Sequence, residues 1–110
     1  MKYVKNFYRD HLNMLRIKLM DDVQLFSEFI EDVSTEEEID EYIVEIDKVL
    51  NGIYEDFEIH LNATGVIIRK DVTIVEHFFS NSEENGDKME TKEFKSLLLL
   101  WKTKLPKRFL

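Results

Sequence analysis

The sequence predicts an α+β fold, a single domain in which an antiparallel sheet, a meander of three to five strands, packs against two or three helices. Two observations carry that expectation. Residues 34–52 place Ile39, Tyr42, Ile43, Ile46, Val49 and Leu50 on one stripe of an α-helix. Residues 55–79 instead alternate apolar and polar side chains between short turn signals, as successive antiparallel strands do. A chain of 110 residues is long enough for one core without metal or disulfide. Burial of the six stripe residues contributes on the order of 9–18 kcal/mol before ordering entropy is subtracted.

Taken in order, residues 2–9 mix aromatics with bases and suit an edge strand or an extended arm. After a polar break at 10–13, Leu15, Ile17 and Leu19 alternate with Arg16 and Lys18 in a half-buried strand. Asp21 or Asp22 is expected to cap a short helix with Phe26, Phe29, Ile30 and Val33 inward and Glu28, Glu31 and Asp32 outward. The 34–52 helix has Ser34 or Thr35 as cap, with Glu37 or Glu38 three residues on to complete a capping box. Asn51 and Gly52 tolerate the left-handed conformation that stops it.

Beyond Gly52, Phe57, Ile59 and Leu61 alternate with Glu58 and His60 in a strand over 55–61. The turn Asn62-Ala63-Thr64-Gly65 leads to a return strand at 66–69, and Lys70-Asp71 reverses the chain into a third strand at 72–79. Residues 80–88 read as a loop turning at Asn85-Gly86, and Met89 and Glu90 as a short further strand. Thr91 is expected to cap a last helix with Phe94, Leu97, Leu98, Trp101 and Leu105 on its stripe, four lysines off it, and Pro106 at its end. Leu99 and Leu100 widen that stripe, which calls for burial on more than one side or for contact with a second copy or partner.

The net charge of −8 is unevenly spread. Residues 1–20 carry five bases and one acid, residues 21–58 one base and fifteen acids, and residues 59–110 nine bases and seven acids. An acid run is commonly no more than a solvated face. This one is concentrated enough to repel nucleic acid and anionic lipid and to steer a basic partner toward encounter, so no direct nucleic-acid binding and no membrane partner is expected. No apolar run reaches the ~18 residues of a membrane span, no signal-peptide core is evident, and cysteine is absent, which together suggest a cytoplasmic protein.

Catalytic signatures are missing. His11, His60 and His77 lie in no convergent motif, and no HExxH, EF-hand loop or CxxC supplies metal ligands. Glu55, Asp56 and Glu58 could suggest two-carboxylate hydrolysis, but in a half-exposed strand nothing would raise one pKa selectively. With no nucleophile elbow and no glycine-rich phosphate loop, the chain reads as a non-enzyme without cofactor or metal.

The run IDKVLNG (46–52), the acidic YEDFE (54–58), LNATGVIIRKDVTIVEHFF (61–79) and the closing TKEFKSLLLLW (91–101) together resemble small acidic bacterial immunity proteins encoded beside polymorphic toxins, including those of contact-dependent growth inhibition. The resemblance implies a specific inhibitor of one cognate toxin C-terminal domain, a basic nuclease in many such systems, acting in the bacterial cytoplasm by binding alone. On that reading the toxin-facing residues are Glu37, Glu38, Asp40, Glu41 and Asp47 on the helix and Glu55, Asp56 and Glu58 after it. The alternative is a cytoplasmic structural or regulatory adaptor that forms a homodimer through the leucine-rich last helix.

Overall fold

The computed structural model describes residues 2–78 and 86–109. The elements are β1 (Val4–Arg9), β2 (Leu15–Leu19), α1 (Leu25–Asp32), α2 (Glu36–Leu50), β3 (Asp56–Leu61), β4 (Thr64–Arg69), β5 (Val72–His77), β6 (Asp87–Glu90) and α3 (Thr91–Lys104). β1 and β2 form an antiparallel hairpin, and the other strands an antiparallel sheet in the order β3-β4-β5-β6. The α+β expectation is met, with three helices against the sheets. Most of the loop read at 80–88, and Phe79 at the end of the third strand, lie outside the described residues.

α1 is the element that joins the two sheets. It packs against β2 on one side and against β4 and β5 on the other, burying Phe26, Phe29 and Ile30 completely. A helix so enclosed needs protein partners for its terminal N–H and C=O groups. Neither Asp21 nor Asp22 provides one. They form a separate 3₁₀ turn, Asp21–Val23, which delays the start of α1 to Leu25 and carries both carboxylates away from its first turn. The Leu25 N–H instead donates to the Asp87 carboxylate of β6 at 2.8 Å. At the other end the Trp101 indole N–H donates to the Val33 carbonyl at 2.9 Å, and the Arg108 guanidinium donates to the Glu31 carbonyl at 2.8 Å. The Glu31 carboxylate accepts a two-pronged pair of bonds from Arg16 at 2.7 and 3.0 Å and the Ile17 N–H at 3.1 Å, clamping α1 to β2.

α2 keeps its caps within reach of its own sequence. Thr35 Oγ1 accepts the Glu38 N–H at 3.1 Å, while the Glu38 carboxylate accepts the Ser34 N–H at 3.2 Å, a box closed one residue before the cap. At the C-terminus Gly52 sits at φ +77°, and the N–H groups of Gly52 and Ile53 donate to the carbonyls of Val49 and Lys48 in a Schellman arrangement. Ile39, Ile46 and Val49 are fully buried, over β3 and β4 and beside α3.

The β3–β4 turn is shorter than the four residues the sequence suggested. Leu61 pairs with Thr64, so the turn is Asn62-Ala63, with Asn62 at φ +39°, and Thr64 and Gly65 belong to β4. Gly65 serves space instead of turning, because a Cβ there would meet the Phe78 ring at 2.6 Å. Gly86 is needed twice over, for its φ of +69° and because a Cβ would overlap the Val75 carbonyl.

Thr91 does not cap α3. The helix follows β6 without a linker, so Thr91 is already its first residue; its N–H donates to the Asp71 carbonyl and its hydroxyl joins the Arg69 carbonyl and Thr73. Leu97 and Leu98 on the stripe are inaccessible, but of the two leucines that widen it Leu100 is only half-buried and Leu99 is 43% exposed, so burial within the chain does not account for Leu99. α3 stops at Lys104, and Pro106 lies in the 3₁₀ turn Leu105–Lys107. Among the described residues no helix is long and apolar enough to cross a membrane.

Two outcomes follow from these contacts. Asp87→Ala should lower unfolding stability by about 1 kcal/mol, the usual worth of a helix cap, whereas Asp22→Ala should change it by less than about 0.5 kcal/mol in urea titrations. Glu90 accepts bonds from the Tyr3 hydroxyl and Lys2, which hold its carboxyl below its ordinary value. A carboxyl so depressed stabilises the fold above its unfolded pKa and ceases to do so as pH falls through the folded value. The stability difference between the parent and Glu90→Gln should therefore be present at neutral pH, begin to fall below the ordinary glutamate value of about 4.3, and be gone once pH has passed below the depressed folded value.

Candidate acidic binding surface

The eight acidic residues selected from the sequence do not form one patch. On α2 the outward ridge carries Glu37 and Glu41, both exposed, with Val44 beside them at 53% exposure. Asp40 and Asp47 lie seven residues apart on the flank toward α3, where Lys102 and Lys95 meet them at 2.6 Å each. α2 has one lysine of its own, Lys48, which meets Glu45 at 3.6 Å; the neighbouring helix supplies these two, and the pairing with Asp40 raises the pKa of Lys102. Glu38 accepts the Tyr42 hydroxyl at 2.7 Å in addition to closing the capping box. Burial first and Glu38 second push the Tyr42 hydroxyl well above the ordinary phenol range.

Glu55 is exposed in the turn after α2, and Asp56 and Glu58 are exposed on β3. Because strand side chains alternate, these two point to the sheet face opposite the one on which Phe57, Ile59 and Leu61 meet the core and α2. The α2 ridge and the β3 acids therefore lie on two sides of the sheet, with the edge of β3 between them. Glu58 is 3.4 Å from His60, whose ring stands edge-on to Phe78 at 5.3 Å. In this region Glu36, Glu37, Glu41, Glu55 and Asp56 have no ion pair or side-chain hydrogen bond among the described residues; Asp22, Asp71 and Glu76, elsewhere on the surface, are likewise exposed without one.

Comparison with protein-family models, curated proteins and solved structures returns no match.

Sequence reasoning passed over the apolar component of this region. Tyr54 stacks on Phe57 with ring centroids 6.0 Å apart, Lys48 lies over the Tyr54 ring at 5.4 Å, and Ile53 beside them is 68% exposed. The i, i+3 aromatic pair next to an acid run was the signal that could have found it. Aromatic groups within a charged surround are the composition of a binding patch. The histidines converge nowhere: His77 reaches Glu28 of α1 at 3.2 Å, His60 sits on β3, and His11 in the β1–β2 turn. Among the described residues no group of three or more His, Cys, Asp or Glu is placed to hold a metal.

The two classes of α2 acid should separate on charge reversal. Asp40→Lys with Asp47→Lys opposes two lysines of α3 and should lower the urea midpoint. Glu37→Lys with Glu41→Lys removes like-charge crowding and should leave the midpoint unchanged or raise it.

Proposed function

We propose that this protein is an immunity protein, which binds and neutralises a cognate bacterial toxin domain of basic character through its acidic surface, with no reaction catalysed. The observation that carries this reading is the set of carboxylates left over after internal pairing. Asp40 and Asp47 are matched by lysines, whereas Glu36, Glu37, Glu41, Glu55 and Asp56 make no ion pair or side-chain hydrogen bond among the described residues, although the Glu36 charge acts on Lys102 and Asp56 stands across the ladder from Arg69. Like charges on a small domain oppose its compact state, and they favour a complementary partner. Nucleases are basic where they hold their polyanionic substrate, so an acidic protein can occupy the same surface. The resemblance to toxin-linked immunity proteins points the same way.

The test is co-expression with the C-terminal toxin domain encoded immediately upstream, scoring growth, followed by the dissociation constant at two salt concentrations. Rescue with nanomolar binding that weakens as salt rises is the expected result. Glu37→Lys, Glu41→Lys and Asp56→Lys together should slow association by tenfold or more, on the order of the steering effects seen between oppositely charged proteins, and should flatten the salt dependence. Failure to rescue, with no complex at low salt, would reject the reading.

A further inference from the structure

The sheet has two edges, and they are treated differently. The β6 edge is enclosed: the 3₁₀ turn Asp21–Val23 packs against it, Asp87 is bonded to Leu25, and Glu90 to Tyr3 and Lys2. No comparable cover reaches β3 among the described residues. Among the described residues its backbone is hydrogen-bonded to β4 alone.

The register identifies which groups are left open. Leu61 and Thr64 flank a two-residue turn and therefore form a directly bonded pair, and bonded pairs alternate along an antiparallel ladder. Leu61, Ile59 and Phe57 thus point their N–H and C=O groups at β4, while Asp56, Glu58 and His60 point theirs away from the sheet. Exposed edges invite pairing with other strands, and proteins commonly blunt them with proline, a bulge or lysine. β3 has no proline or lysine, and its pairing with β4 runs without a register shift.

What it has is Asp56 and Glu58, and their sign decides which strand can join. Two copies paired antiparallel about Glu58 would set Glu58 opposite Glu58, a repulsive cross-strand pair. A strand with lysine or arginine at those places would gain both the ladder and the charge pairing. Exposed Ile53 and the Tyr54–Phe57 stack, at the start of β3, offer apolar contact for the alternate side chains of such a strand.

We propose that the open edge of β3 accepts an extended, lysine- or arginine-rich segment of the partner as a fifth strand of the sheet. This deepens the inhibitor reading and rests on it for the identity of the partner, though the edge itself can be tested without the toxin.

The probe is a capped peptide of alternating lysine and valine, added to the full chain and followed by NMR. Saturable binding with slowed amide exchange at Asp56, Glu58 and His60 is expected, with Phe57 and Ile59, already bonded to β4, little changed. A glutamate-for-lysine peptide should not bind. Glu58→Pro removes an outward N–H without breaking a β4 bond and should weaken binding about tenfold, while Glu58→Gln, which keeps the N–H, should weaken it less. If circular dichroism shows that Glu58→Pro does not fold, Asp56→Lys with Glu58→Lys decides: this variant should capture the glutamate peptide and reject the lysine one. Protection elsewhere, or equal binding by a folded Glu58→Pro variant, overturns the proposal. A toxin domain neutralised undiminished by Glu58→Pro overturns edge docking and leaves the inhibitor reading standing. A peptide held at the edge while the neighbouring toxin domain is not bound leaves edge docking standing and removes the inhibitor reading.

Discussion

A buried helix must satisfy its ends with protein, because water cannot reach them, and α1 is the helix for which that demand is greatest. Its eight residues lie between the β1–β2 hairpin and the central sheet. The Asp87 carboxylate takes the N–H at its first residue, and Trp101 and Arg108 take carbonyls at its last turn. Each of these groups comes from a different later element: β6, α3 and the segment after α3. The positions of those three elements are thereby tied to one short helix. Trp101, itself fully buried, fixes how α3 lies across the junction of α1 and α2. Arg108 stacks near its ring at 5.2 Å; burial draws the guanidinium pKa down, and the Glu31 charge opposes that shift.

Once α3 is placed, the charge of α2 divides. The flank that meets α3 has its carboxylates answered one for one by Lys102 and Lys95 at matching seven-residue spacing. The ridge turned to solvent has no such answer. The fold thus sorts one acidic run into a part that joins two helices and a part that faces outward. The outward part is offered on one side of the sheet, and the β3 acids on the other.

What was legible in the sequence was whatever depends on near neighbours. The stripe from Ile39 to Leu50, the Thr35–Glu38 box and the Gly52 stop involve residues within one or two turns of each other, and all stand as read. Asp21, Asp22 and Thr91 had the right chemistry for caps, but a 3₁₀ turn in one case and direct continuation from β6 in the other moved them out of position. Asp87 could not have been chosen for α1, since 62 residues separate it from Leu25 and no local pattern links them. The acidic surface was legible as composition. Its division was not, because a helical wheel shows which side a carboxylate occupies and not which lysine of another helix comes to meet it.

The distance along the chain between α1 and the groups that finish it has a kinetic side. Leu25 waits for a residue 62 positions later and Val33 for one 68 positions later, so both closures span more than half of the polypeptide. Closing such spans costs chain entropy before any contact is rewarded, and folds dominated by distant contacts form slowly for their size. During synthesis from the N-terminus, α1 emerges before any of the three groups that finish its ends. The contacts that finish α1 and those that pair Asp40 and Asp47 of α2 all await residues from 87 onward.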